Sequence, residues 1–169
     1  MRSYLSMKDG IIRNLINQSL EQTKNERFKM ETHIDGKKNI VIGLFAMAGF
    51  MLYGFLLIYL RDFAPNAAEW AAAYGSGKHF EARLAHVHGN LFAFLNIVIG
   101  YLLFKLDVNS TQRKIVSWLG ILGLLMPIGI LLELLLSASP IFVLIGAVCM
   151  TASVFLLGYF LMKSKKVVI

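Results

Sequence analysis

Apolar residues along this chain fall into four long runs, separated by short stretches of charged or turn-forming residues. The runs cover about residues 39–60, 83–104, 115–136 and 141–162. A helix needs about 20 apolar residues to cross about 30 Å of hydrocarbon, and each run is long enough. The breaks carry turn chemistry: Ala64-Pro65-Asn66 and Tyr74-Gly75-Ser76-Gly77, then Asp107 to Thr111, then Ser137-Ala138-Ser139-Pro140. The last break is short, so spans three and four are expected to form an antiparallel hairpin. The expected fold is therefore an all-α, integral membrane four-helix bundle over residues 37–169. Pro127 is expected to kink the third span. Gly43, Ala46, Gly49, Gly120, Gly123, Gly146 and Ala152 supply the small residues that membrane helices use for close packing.

Residues 1–36 form an N-terminal extension without the apolar core of a secretory signal. Within it Ile11, Ile12, Leu15, Ile16 and Leu20 recur at helical spacing among Arg13, Asn14, Gln18 and Glu21. Two readings stand, an amphipathic helix on the lipid surface or a solvated extension. Met30 is an alternative initiator, which would leave residues 1–29 outside the protein.

Composition agrees with the hydropathy pattern. The 169 residues are 57% hydrophobic and only 16% charged, with a net charge of +7. Position removes nucleic acid from the function classes that this charge suggests. Lys37, Lys38, Lys105, Arg113, Lys114, Lys163, Lys165 and Lys166 flank the ends of apolar runs and form no stripe with interleaved aromatics. They gather on one side of the membrane, against Arg61, Lys78 and Arg83 on the other. The positive-inside rule thus places both termini in the cytoplasm, in a multi-pass protein of the inner (cytoplasmic) membrane. The single cysteine, Cys149, excludes an intrachain disulfide and cysteine-based zinc motifs.

Polar side chains inside spans are costly and mark function. Here they gather at the start of span two, as Arg83-Leu84-Ala85-His86-Val87-His88-Gly89-Asn90. Glu133, the one acid of span three, falls at the same depth. Arg83, His86 and Asn90 share one helical stripe, whereas His88 lies about 200° from His86 at about 100° per residue. A regular helix therefore cannot aim both imidazoles at one metal ion. Neutral imidazole is a usual axial ligand of haem iron, and Arg83 lies one turn from His86, placed to meet a propionate; Lys78 is a second cation for that role. Spans one, three and four hold no histidine, so the sixth iron position is open, filled by Met or substrate, or shared between subunits. Asn96 is a candidate for an interhelical hydrogen bond or for ligand contact.

The run Glu81-Ala82-Arg83-Leu84-Ala85-His86 and the apolar span after it resemble the second helix of the styrene oxide isomerases, where an Ala-Arg-Ala-His-type run opens that helix. The resemblance covers the second span. It implies a homotrimer holding haem b between protomers, with His86 as axial ligand, the iron as Lewis acid and a small apolar substrate. Arg83-x-x-His86 is also similar to the start of helix two in haem–copper oxidase catalytic subunits. Phe92 stands where the isomerase pattern has Asn, and Ile128 to Leu136 offers Glu133 where that family has Tyr. The likeness therefore implies haem more than it implies epoxide isomerisation.

Three functions are expected to compete. One is a haem-binding membrane protein, an isomerase-like or redox enzyme held through His86, Arg83 and Asn90. The second is a divalent-metal or copper protein using His86, His88 and Glu133, with His79 from the loop. The third is a non-catalytic accessory subunit of a membrane complex.

Overall fold

The computed structural model describes residues 2–105 and 108–163, excepting the side chains of 2–12, 25 and 27–34. Asp107, Lys165 and Lys166, and the side chains of Ile11, Ile12 and Met30, therefore lie outside the described residues. Among the described residues six helices follow one another: α1 (Arg2–Asp62), α2 (Ala67–Ala72), α3 (Gly77–Lys105), α4 (Ser110–Gly123), α5 (Leu125–Leu136) and α6 (Ile141–Lys163). Among these residues four stretches are long and apolar enough to cross a membrane: Asp35–Asp62, Gly77–Lys105, Ser110–Leu136 and Ile141–Lys163. The amphipathic stretch of the extension is helical and runs into the first span without a break. Residues 2–34 add ~50 Å of helix at about 1.5 Å per residue.

The third span is two helices rather than one. Pro127 has no N–H to give the carbonyl of Gly123, so the ladder lapses at Leu124. Its amide bonds Ile121 O at 3.1 Å instead, one residue tighter than an α-helix. Asn109 starts α4 with a capping box: its side chain accepts from the Gln112 amide at 2.8 Å. Ser137, at φ 51°, ends α5 in the left-handed conformation and turns the chain into α6.

Each span packs antiparallel to its neighbour in sequence, so α1 enters and α6 leaves at one end, here the terminal end. The short α2 lies at the other. α3 and the broken α4–α5 form the middle, with α1 against α3 and α6 against α4 and α5. Small residues set these distances. A Cβ on Gly146 would stand 2.1 Å from the Met126 amide nitrogen, and one on Gly43 would stand 2.7 Å from Ala93 O. At the terminal end Lys163 lies 4.7 Å from the Tyr159 ring centroid and Lys105 5.9 Å from that of Tyr101. This is how basic and aromatic residues share a membrane interface.

One buried polar network ties three spans together. Asn39 of α1 donates to Asn96 Oδ1 of α3 at 2.9 Å and to Ser117 O of α4 at 3.1 Å, and accepts from the Ser117 hydroxyl. Asn96 donates to Gly120 O at 2.8 Å and to Phe92 O at 3.0 Å. Asn39 and Asn96 are fully buried, and both amide groups are satisfied. Asn96 thus takes the interhelical role. Ser153 of α6 adds a bond to Val116 O at 2.8 Å. Arg113, expected among the flanking cations, is instead fully buried and donates to Val108 O at 2.8 Å.

Removing a bonded buried amide leaves its partners unpaired, so Asn96→Ala should cost about 1–2 kcal/mol of stability. Gly146→Ala should cost about 1–3 kcal/mol, because its Cβ meets backbone that cannot move aside. Gly158→Ala, with nothing within 4 Å, should stay within about 0.5 kcal/mol. Unfolding of the three variants in detergent micelles measures the order.

Candidate functional site

The polar run of α3 is split by helical geometry into two sides. His86 faces α1. Its Nδ1 lies 2.8 Å from the backbone carbonyl of Phe50. A carbonyl only accepts, so Nδ1 carries a proton, and in the neutral imidazole Nε2 then keeps its lone pair. Nε2 has no hydrogen-bond partner among the described residues. Two glycines make this contact possible. A Cβ on Gly54 would come within 2.5 Å of His86 Cε1, and one on Gly89 within 2.2 Å of the Phe50 ring. Each helix thus offers the other a ring and a gap.

Asn90, one turn along α3, donates to His86 O at 2.9 Å. Its amide nitrogen also lies 3.4 Å from His86 Nδ1, but there two donors face each other. Asn90 therefore steadies the helix beside the imidazole and does not line the cavity described next.

A cavity of about 330 Å³ lies between α1 and α3 at the α2 end. Met51, Gly54, Phe55, Leu57 and Ile58 form its apolar α1 wall, and His86 and Arg83 its α3 wall. Arg61, Tyr74 and His79 close the end nearest α2. The two guanidiniums are held differently. Arg83 stacks over the Tyr74 ring, 3.5 Å from its centroid, and donates to Tyr74 O at 3.0 Å. Arg61 forms a forked pair with the neighbouring Asp62, at 2.8 and 2.7 Å. That pair is exposed and worth little to stability.

His79 is buried beside this cavity, with Nδ1 bonded to Trp70 O. Its ring stacks on Trp70 at 4.3 Å and meets Tyr74 edge-on at 5.2 Å. It packs the short α2 segment down on α3.

His88 faces away. Its Nδ1 bonds Leu84 O of its own helix at 2.9 Å, and its ring meets Phe92 at 6.2 Å. Glu133 lies at the expected depth but on that opposite side, in a cleft with Glu81, Leu84, Met126 and Ile130. It makes no ion pair with Arg83. Among the described residues no three His, Cys, Asp or Glu side chains converge on a point where one metal ion would bind. His86, Arg83 and His79 therefore share one cavity, while His88 and Glu133 do not reach it.

Arg61, Gly54, Phe50 and Tyr74 are the parts sequence reasoning did not find. Arg61 carried a signal, a cation ending span one at the depth of Arg83. Phe50 and Gly54 act through a backbone carbonyl and through the absence of a side chain, and Tyr74 through its place in a turn between helices, none of which a residue type announces.

The chain matches no protein-family model, no curated protein and no solved structure.

The His86–Phe50 bond depends on the gap at Gly54. Nitrogen-15 NMR of His86 in the purified protein should show a protonated Nδ1 and an unprotonated Nε2. Gly54→Ala should abolish that signature, and Gly49→Ala, which has open space around it, should preserve it. An unprotonated Nδ1 in the parent protein contradicts the assignment.

Proposed function

We propose that this chain is a membrane haem protein whose cavity between α1 and α3 takes haem b, with His86 Nε2 as axial ligand. The observation that carries the reading is the bond from His86 Nδ1–H to the Phe50 carbonyl. Metal-bound histidines almost always give their second nitrogen to such an acceptor, which fixes the tautomer and makes the other nitrogen a better donor. The chemistry of the lining fits the same group. Apolar side chains offer a wall to a macrocycle, and Arg61 and Arg83 at the rim offer two cations to its two carboxylates. The laterally open cavity need not enclose a flat ligand.

Haem iron, when bound, supplies a Lewis-acid or redox centre. The chain's own residues position and shield. Phe50 and Gly54 fix the imidazole plane, Asn90 steadies the turn beneath it, and Tyr74 holds the Arg83 guanidinium at the rim. Any further contact to the iron would come from a substrate or from a partner subunit in a homo-oligomer.

We further infer that the terminal end faces the cytoplasm and the α2 end the outer side of the inner membrane. The basic flanks at Lys37, Lys38, Lys105, Lys114 and Lys163 support this orientation.

Protein purified in detergent from haem-supplied cells should show a Soret band. His86→Ala should lose it and His88→Ala keep it. Arg83→Ala should weaken haem retention by about tenfold, the equivalent of about 1.4 kcal/mol. Absence of a Soret band, or a band indifferent to His86→Ala, rules the reading out.

A further inference from the structure

Two cavities at the α2 end have one buried residue between them. The first is the membrane cavity beside His86. The second, of about 280 Å³, is lined by polar residues of the loop and of the start of α3, among them Asn66, Glu69, Ser76 and Lys78. His79 lines both. It is only 3% exposed, so its ring fills the space between them.

The ring is fixed from several directions. Trp70 stacks on one face at 4.3 Å, and Tyr74 meets it edge-on at 5.2 Å. Nδ1 donates to Trp70 O. Tyr74 is itself pinned by Arg83, through its ring and its carbonyl. On the lateral side the wall is different. Met51, Phe55 and Ile58 are exposed on the surface of a span, where lipid would meet them. Towards the loop vestibule the cavity is thus closed by stacked rings, and on the lateral side it is open to hydrocarbon.

We propose that His79 is the partition between the loop vestibule and the membrane cavity, and that it restricts the cavity to molecules dissolved in the bilayer. The ligand or substrate class is therefore lipid-soluble, and water-soluble molecules are turned back at the imidazole. The inference rests on the cavity being the site, and it holds whether or not haem occupies it. His79 acts by filling space. Its Nδ1–H is committed to a carbonyl that cannot take up a proton.

The test uses the full chain in lipid vesicles without added haem. Leu57→Cys places a thiol on the cavity wall, and Cys149→Ser removes the native one. A charged, membrane-impermeant methanethiosulfonate added on both faces should label this protein slowly. Adding His79→Ala should raise the rate by about tenfold, as if about 1.4 kcal/mol were lost from the closed state. Adding His79→Phe, which keeps a stacked ring, should leave labelling slow and controls for folding. A neutral, lipid-soluble maleimide should label Leu57→Cys readily with His79 in place. Charged-reagent labelling that is fast with His79 intact, or unchanged by His79→Ala, overturns the partition. Failure of the neutral maleimide overturns the lateral route. No arm reads haem, so the Soret experiment and this one fail separately.

Discussion

The close antiparallel approach of α1 and α3 is the constraint on which the rest depends. In hydrocarbon no hydrophobic effect draws helices together, so their contact must come from packing and polar bonds. Along this seam the means change with depth. Towards the terminal end backbone meets near-backbone: a Cβ on Gly36 would lie 2.8 Å from Gly100 O, and one on Gly43 2.7 Å from Ala93 O. Towards the α2 end rings take over, with Phe50 over Gly89 and His86 over Gly54. The cavity lies where rings rather than backbone fill the seam. A functional group enters this interface only where its partner helix lacks a side chain.

The asparagine network and the break at Leu124 complete the frame from the other side of α3. Asn39, Asn96 and Ser117 join α1, α3 and α4 towards the terminal end, and the side-chain polar atoms of these three residues are hydrogen-bonded. A hydrogen bond in this setting is worth only about 1 kcal/mol, but leaving its groups unpaired costs more. The network therefore works mainly by making other registers expensive. Beyond it, Pro127 releases α5 from α4, and Gly146 lets α6 close against Met126. Glu133 is carried to a cleft across α3 from His86. The two polar sites that share a depth are thus kept apart by the helix between them.

Depth is what a sequence records well in a membrane protein, and azimuth is what it records poorly. Hydropathy found the four apolar helices, with starts up to six residues inside those of the structure, and turn residues located the break at Ser137 to Pro140. The 100° step per residue separated His86 from His88, a division within one helix. Glu133 shows the limit. Its depth was legible, but its side of the bundle depends on how α5 rotates after the break at Leu124. Arg113 shows another. A cation flanking an apolar run normally faces water, and only tertiary packing buries this one. Trp70 of α2 and Tyr74 of the turn after it belong to a short segment without periodicity, so nothing in the pattern could fold them onto His79 and Arg83 of α3.

The contrast between the two histidines shows why a carbonyl matters more than residue identity. His88 bonds the carbonyl of Leu84, one turn back on its own helix, and so adds nothing between helices. His86 reaches a carbonyl of another helix. In an α-helix the carbonyl of residue i already receives the amide of residue i+4, so Phe50 O faces Gly54 N–H. The oxygen has a second lone pair, but the side chain four residues on ordinarily covers it. At Gly54 there is none, and the imidazole occupies that space. One glycine thus both uncovers the acceptor and makes room for the ring that uses it. Phe50, Gly54 and His86 act as one unit, and the four-residue spacing of the first two is the part written in the sequence. It becomes readable only when α3 supplies the third.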